Sequence, residues 1–380
     1  MNTTRCSFLI GFLIIFCTTS FSQTTVSGSF MYQSILRTYR IYIPAIYNPS
    51  VAVPLVLNLH GYGSNNTQQE AYGEFRPIAD TANFILVHPN GTLDQTGSRY
   101  WNCFGGPSTV DDVGFLSMLI DTISASYNID QDRIYSTGLS NGGFMSYDLA
   151  YLLGHRIAAI ASVAGGMVYS HLGACNPIHP TPVMQIHGTA DGTVPYAGDA
   201  YFVPVDTLIK FWVNFNHCNA VPVITNLPNT NTSDGCTADH YVYSGGDSAA
   251  TVEFYKIQGG GHSWPGAIIN INVTNMDFSA SKEIWRFFSQ YRLNNLSNAM
   301  EEHGFEIGIP VYPNPSNGNF NLKFIDASSR TIAVTDCLGR VVSEFTSVGT
   351  AAEFYVALPG IYFVTVTDGV HSSTQKVIRN

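Results

Sequence analysis

The sequence predicts an α/β fold, a mostly parallel sheet with helices on both faces, followed by a small all-β sandwich. Three observations predict it. Short apolar runs alternate with stretches of helical period as far as Tyr291, a Gly-x-Ser-x-Gly turn joins one apolar run to the next helix, and after Arg292 the pattern changes to short strand-like runs between turn residues. The chain accordingly divides into a leader at 1–22, a main domain at 23–293, a linker at 294–308 and a β-sandwich at 309–380.

Ser27 to Ala45 alternates apolar and polar residues, with Tyr39, Ile41 and Ile43 on one face, as in a hairpin at a sheet edge. Pro54 to His60 is a nearly continuous apolar run ending at Gly61-Tyr-Gly63, the pattern of a central parallel strand. A helix-compatible stretch from Gln68 to Asn83 precedes a strand at Phe84 to His88, and Thr92 to Thr109 reads as a surface loop rich in Gly, Ser and aromatics. Val113, Leu116, Ile120, Ile123 and Tyr127 recur at helical spacing behind Asp111 and Asp112. Strands then follow at Ile134 to Leu139, Ile157 to Ala164, Pro182 to His187 and Thr251 to Ile257, with helices at Phe144 to Leu153, Asp206 to Phe215 and Ser279 to Tyr291. The residues from Asn294 to Gly308 show no periodicity, and strand-like runs resume at Phe320 to Ile325, Thr331 to Thr335, Glu353 to Ala357 and Ile361 to Thr367.

The formal net charge of -10 lacks the basic footprint that phosphate backbones require, so nucleic acid is excluded as a partner. Arg5, the apolar run from Phe8 to Phe16 and the small residues Ser20-Phe-Ser22 form a secretory signal peptide too short for a permanent membrane span. Its removal takes Cys6 and Cys17 and leaves Cys103, Cys175, Cys218, Cys236 and Cys337 in an oxidising compartment. Cys218 and Cys236 flank a polar loop and are expected to pair, as are Cys103 and Cys175. Cys337 is left as a small buried residue.

The chemistry concentrates in Arg133-Ile-Tyr-Ser-Thr-Gly-Leu-Ser140-Asn-Gly-Gly143, where a strand runs into Gly-x-Ser-x-Gly and then a helix. Such a turn lifts a serine hydroxyl off the sheet. A serine needs a base and donors for the oxyanion it creates. His262 stands in a glycine-rich loop after the last core strand, and Asp191 stands just beyond the preceding strand, placed to orient the imidazole. The order Ser140, Asp191, His262 is that of an α/β-hydrolase. The oxyanion donors are expected at the backbone N–H groups of Asn141 and Tyr62.

Leu59-His-Gly-Tyr-Gly63, Val110-Asp-Asp-Val-Gly-Phe115, Gly138-Leu-Ser-Asn-Gly-Gly143, His187-Gly-Thr-Ala-Asp-Gly-Thr-Val-Pro-Tyr196 and Gly260-Gly-His-Ser-Trp-Pro-Gly266, taken in this order, resemble secreted polyhydroxybutyrate depolymerase-like and feruloyl-esterase-like proteins. The resemblance covers Thr25 to Tyr291. It implies an α/β-hydrolase with serine carboxylesterase activity on extracellular esters, with Ser140, Asp191 and His262 as its triad. Val311-Tyr-Pro-Asn-Pro-Ser-Asn-Gly-Asn-Phe320, Asp336-Cys-Leu-Gly-Arg340 and Leu358-Pro-Gly-Ile-Tyr-Phe-Val364 resemble the C-terminal sorting domain of type IX secretion. That resemblance implies an address read by the outer-membrane secretion machinery.

Feruloyl or acetyl esters of plant polysaccharide are the first expectation for the substrate, with a polyhydroxyalkanoate polyester as the alternative. A serine peptidase on the same fold and a catalytically silent surface binding protein are the rivals. Trp264, Trp101 and Phe104 lie on loops at the expected ligand edge of the sheet, where they either form a platform for substrate or pack the loops. His60 and His187 read as packing and hydrogen-bonding residues, and Asp111 with Asp112 as a charged first helical turn. No His, Cys or Asp spacing matches a metal site, and no cofactor is expected.

Overall fold

The computed structural model describes residues 23–103, 108–269, 271–297, 311–324, 327–336, 340–367 and 372–380. The expected leader and most of the expected linker lie outside them. The chain forms two units, Met1–Leu296 and Ser297–Asn380.

The first unit contains β1 (Thr24–Tyr32), β2 (Ile35–Ile43), β3 (Val53–Leu59), α1 (Asn66–Tyr72), α2 (Arg76–Ala82), β4 (Ile85–Pro89), the short ribbon β5 (Thr92–Leu93) and β6 (Arg99–Tyr100), and α3 (Asp112–Ser126). It continues through β7 (Ile129–Leu139), α4 (Asn141–Leu152), β8 (Ala159–Val163), α5 (Tyr169–Ala174), β9 (Val183–Gly188), α6 (Val205–Phe215), β10 (Val223–Asn226), β11 (Thr237–Tyr243), β12 (Val252–Gln258), α7 (Ala280–Phe288) and α8 (Leu293–Ser297). Ten strands form one sheet in the order β1-β2-β4-β3-β7-β8-β9-β12-β11-β10. The six from β4 to β12 in that order run parallel. Antiparallel strands extend both edges.

Alternation along each strand divides the core in two. Leu55, Leu57 and Leu59 of β3 join Ile85 and Val87 of β4 under α3, α4 and α6, which contribute Phe115, Leu119, Met145, Leu149, Leu208 and Trp212. Val56 and Leu86 face the other way, against Phe75, Ala79 and the α7 residues Ile284, Phe287 and Phe288. Because both faces are covered, all seven residues of β3 are buried, which explains its unbroken apolar run. Helix α4 is buried from Asn141 through Ala150 and packs against β3, β7, β8 and α3.

Strand β10 falls within the stretch read as a polar loop, and β11 follows directly after it. This hairpin was missed because β10 is only four residues long and exposed throughout, and β11 has a single buried residue, so neither shows the alternation that marks a half-buried strand. Among the described residues no helix is long and apolar enough to cross a membrane.

The second unit contains β13 (Val311–Tyr312), β14 (Asn319–Lys323), β15 (Ser329–Asp336), β16 (Val341–Val348), β17 (Ala351–Tyr355), β18 (Gly360–Thr367) and β19 (Ser372–Arg379). They form two sheets, β13-β14-β17 and β16-β15-β18-β19. Phe320, Leu322 and Phe354 of the first and Ile332, Val334, Val364 and Val377 of the second share one core. This is the all-β sandwich that the tail pattern predicts.

Candidate active site

Strand β7 ends at Leu139 and α4 begins at Asn141, leaving Ser140 to make the whole turn. Its backbone sits at φ 54° and ψ -119°, a conformation costing a non-glycine residue about 1–3 kcal/mol. The surroundings hold it there. The Ser140 N–H donates to the Val163 carbonyl at 2.8 Å, and the Ser140 carbonyl accepts from Gly143 at 2.8 Å and Phe144 at 3.0 Å. The turn closes only without side chains beside it. A Cβ on Gly142 would lie 2.2 Å from the Leu59 carbonyl oxygen, and one on Gly138 would lie 2.6 Å from the same oxygen.

His262 and Asp191 meet. The imidazole Nδ1 lies 2.8 Å from Asp191 Oδ2, while Asp191 Oδ1 accepts the backbone N–H groups of Thr193 and Val194 at 2.8 and 2.9 Å. Burial would push the Asp191 carboxyl up, but the hydrogen bond from His262 and its electrostatic attraction outweigh it and hold the carboxyl below its ordinary range. An ionised Asp191 is an acceptor only, so His262 Nδ1 carries the proton and its Nε2 keeps a lone pair. His187 lies beneath Asp191, its Nε2 donating to the Val194 carbonyl at 2.9 Å and lying 3.4 Å from Asp191 Oδ2. Its Nδ1 accepts from Gln185 Nε2 at 3.0 Å, and Gln185 Oε1 accepts from the Tyr147 hydroxyl at 2.8 Å. Burial lowers the His187 pKa and keeps the ring neutral. A buried chain of hydrogen bonds thus joins α4 to the loop that carries the carboxylate. The sequence placed His187 as a packing and hydrogen-bonding residue, which agrees.

Ser140 and His262 line one cavity of about 650 Å³. Gly61, Tyr62 and Gly63 form one side, Ala71 and Tyr72 another, and Ile269 and Ile271 a third, with no ionised side chain among the lining residues except His262 when it is protonated. Among the described residues no acceptor meets the backbone N–H of Tyr62 or of Asn141. The loop before Tyr62 is fixed by His60, whose Nε2 accepts from Gly91 N–H at 3.0 Å and whose Nδ1 therefore donates to the Gly61 carbonyl at 2.8 Å.

Trp101 ties the two segments together. Its indole N–H donates to the His60 carbonyl at 2.9 Å, and its backbone exchanges two hydrogen bonds with the Asn141 side-chain amide, at 2.6 and 3.0 Å. The clamp formed by the Asn141 side chain was not read from the sequence. An amide directly after the serine was the available signal. The isoleucine wall was also missed, although Ile268, Ile269 and Ile271 cluster just after the His262 loop.

Two expectations need correction, the tryptophan contact with substrate and the disulfides. Trp101 and Trp264 are 0% and 1% exposed, so their rings anchor loops rather than forming an open platform. Trp264 donates from its backbone to the Tyr72 hydroxyl and from its indole to Ser281 Oγ, pinning the His262 loop to α1 and α7. Phe104 lies outside the described residues, as does Cys337. Neither expected disulfide forms, since Cys103, Cys175, Cys218 and Cys236 are all free and buried. Cys218 belongs to the core on one face of the sheet and Cys236 to the other. Cys103 Sγ instead accepts the Asn141 amide at 3.0 Å, and Cys175 is a thiol whose pKa burial raises to about 12.

Asp111 and Asp112 have separate structural duties. Asp111 caps α3 through the Gly114 N–H at 2.8 Å, and Asp112 is sealed against Arg37 at 2.5 Å. Among the described residues no group of three His, Cys, Asp or Glu side chains is placed to hold a metal.

Residues 111–219 match the family described as Phospholipase/Carboxylesterase, a stretch that holds Ser140 and Asp191. Residues 310–380 match the Secretion system C-terminal sorting domain. The chain is 29% identical over 283 residues to a bifunctional acetylxylan esterase/xylanase, XynS20E, of Neocallimastix patriciarum, covering 74% of this chain and 37% of that protein. It is 27% identical over 231 residues to feruloyl esterase B of Piromyces equi, covering 58% and 41%. It is 27% identical over 242 residues to poly(3-hydroxyalkanoate) depolymerase C of Paucimonas lemoignei, covering 56% and 55%. The chain therefore spans 37% to 55% of the length of these relatives. With a serine-turned strand–helix junction on a mostly parallel sheet, the chain joins a unit of α/β-hydrolase fold, whose residues 111–219 match the phospholipase/carboxylesterase family, to an all-β unit that matches the secretion system C-terminal sorting domain.

Proposed function

We propose that the protein is a secreted serine carboxylesterase that acts on feruloyl or acetyl esters of plant polysaccharide through an acyl-enzyme. The observation carrying this reading is the strained turn that presents Ser140 to the same cavity as His262, with Asp191 on the far side of the imidazole. His262 Nε2 takes the Ser140 hydroxyl proton as Oγ attacks the ester carbonyl. The tetrahedral oxyanion is held by the Tyr62 and Asn141 N–H groups, and collapse expels the alcohol with the proton from His262. Water, deprotonated by His262, then releases the acid and restores Ser140. Asp191 stabilises the imidazolium at each transfer.

The apolar cavity suits an uncharged acyl group, and its volume far exceeds the need of an acetyl group. The acetylxylan esterase/xylanase and feruloyl esterase relatives support the polysaccharide esters. A second reading, a polyester depolymerase, is favoured by the exposed Ile268, Ile269 and Ile271 beside the cavity and by the depolymerase relative. The C-terminal sandwich is the address that the type IX secretion machinery reads.

Ser140→Ala is expected to lower kcat on 4-nitrophenyl acetate by three or more orders of magnitude, and turnover at the wild-type rate would overturn the assignment. Ferulate release from arabinoxylan, measured against clearing of a poly(3-hydroxybutyrate) suspension, separates the two substrate readings.

A further inference from the structure

Beyond β8 and β9 two loops meet on the side of the sheet where the chain turns at Ser140. Val168 and Phe202 form an antiparallel bridge, the Val203 N–H donates to the Met167 carbonyl at 3.0 Å, and the Tyr169 N–H donates to the Tyr201 carbonyl at 3.3 Å. The paired loops enclose an open cavity of about 420 Å³ lined by Val168, Tyr169, Ser170, Ala200, Tyr201 and Phe202, none of them charged. Tyr169 is 50% exposed and Tyr201 is 75% exposed. Neither hydroxyl has a hydrogen-bond partner among the described residues.

The two rings are presented on held backbone. Asp199 Oδ1 accepts the Tyr201 and Phe202 N–H groups at 2.7 and 2.8 Å, and the Phe202 ring packs on Phe144 with centroids 5.3 Å apart. Phe144 lies in the first turn of α4, directly after Ser140. The other loop is also seated on the nucleophile, since a Cβ on Gly165 would lie 2.7 Å from the Ser140 carbonyl oxygen. Tyr169 follows four residues later, so its Cα is within about 14 Å of Gly165 even if the intervening chain is fully extended. Tyr201 belongs to the same β9–α6 connection as Asp191.

An exposed tyrosine pair fixed beside a reaction site is apolar surface left uncovered at a cost, with phenol groups ready to hydrogen-bond. A pyranose ring has matching features, an apolar C–H face edged by hydroxyls, and it needs no charged partner. Building on the esterase reading above, we propose that Tyr169 and Tyr201 form a saccharide subsite that holds the sugar chain bearing the ester beside Ser140. A polysaccharide substrate extends past the esterified unit, and this cavity is the place on the rim built to receive the next sugars.

The test is a calorimetric titration of xylohexaose into the full chain carrying Ser140→Ala, with and without Tyr169→Ala and Tyr201→Ala together. Loss of two ring contacts is expected to weaken xylohexaose binding about tenfold or more. With Ser140 intact, the double tyrosine variant is expected to raise KM for feruloylated arabinoxylan by a similar factor and to leave kcat/KM on 4-nitrophenyl acetate unchanged. Equal xylohexaose affinity in both proteins, absence of binding to either, or weakened adsorption to a polyester film with saccharide binding intact would each overturn the subsite. Equal losses on the polymer and on the small ester would overturn it as well. Turnover by the Ser140→Ala protein would defeat the catalytic reading alone, because the titration reports binding without hydrolysis.

Discussion

Asp191→Asn isolates the carboxylate from the rest of the site. In the native protein Asp191 Oδ1 accepts two backbone N–H groups, from Thr193 and Val194, and Oδ2 faces His262 Nδ1 at 2.8 Å. The asparagine carbonyl can keep both backbone bonds only by turning its NH2 toward the imidazole. That arrangement requires His262 to accept at Nδ1, which moves its proton to Nε2 and removes the lone pair that Ser140 needs. The same tautomer exchange in other serine hydrolases lowers kcat about 10⁴-fold, equivalent to roughly 5.5 kcal/mol of transition-state stabilisation. The NH2 group also meets the His187 Nε2–H at the position now 3.4 Å from Oδ2, adding about 1 kcal/mol of instability. The assay is kcat on 4-nitrophenyl acetate between about pH 6 and pH 9, with circular dichroism to show that the fold is intact. A folded variant within tenfold of the wild-type kcat would refute the tautomer argument.

Three further outcomes follow from the packing. Gly142→Ala places a Cβ 2.2 Å from the Leu59 carbonyl and is expected to cost more than about 4 kcal/mol, read as insoluble expression or a collapsed melting temperature; a soluble, active variant would show that the turn can open. Arg37→Leu leaves the fully buried Asp112 carboxylate without its cation and is expected to cost about 3–5 kcal/mol in urea unfolding, and a loss below about 1 kcal/mol would contradict the buried pair. Burial lowers the pKa of His60 to about 4 and that of His88 to about 3. The unfolded chain binds these protons near pH 6.5, so it holds more protons than the folded chain below that value. Stability is full above about pH 6.5 and falls as the pH drops toward 4, by on the order of 3 kcal/mol for His60 alone. Unchanged urea midpoints at pH 7 and pH 4 would contradict this.

Much of the hydrolase unit was legible because its sheet is covered on both faces. Strands such as Val53–Leu59 must then be apolar throughout, and they stand out between helical stretches. Ser140 was legible because the turn tolerates only glycine at positions 138 and 142, which writes the geometry into the sequence. The meeting of Asp191 with His262 was legible from their loops, each of which follows a core strand. The edge hairpin at Val223–Asn226 and Thr237–Tyr243 was not legible, since a short edge strand with little burial on either face has no alternation to read. Trp101 and Trp264 could be read either as a substrate platform or as loop packing, because an aromatic in a glycine-rich loop has no sequence mark for the direction of its ring; their burial selects packing. The cysteine pairs failed for a related reason: spacing along the chain does not show that the sheet stands between Cys218 and Cys236.

The nucleophile is most directly tested by treating the full chain with a fluorophosphonate and mapping the modified peptide by mass spectrometry. The adduct is expected on Ser140 in the wild-type protein and is expected to be nearly lost in the His262→Ala variant. An adduct on another serine, or rapid ester turnover with Ser140 unmodified, would contradict a hydrolase built on Ser140, His262 and Asp191.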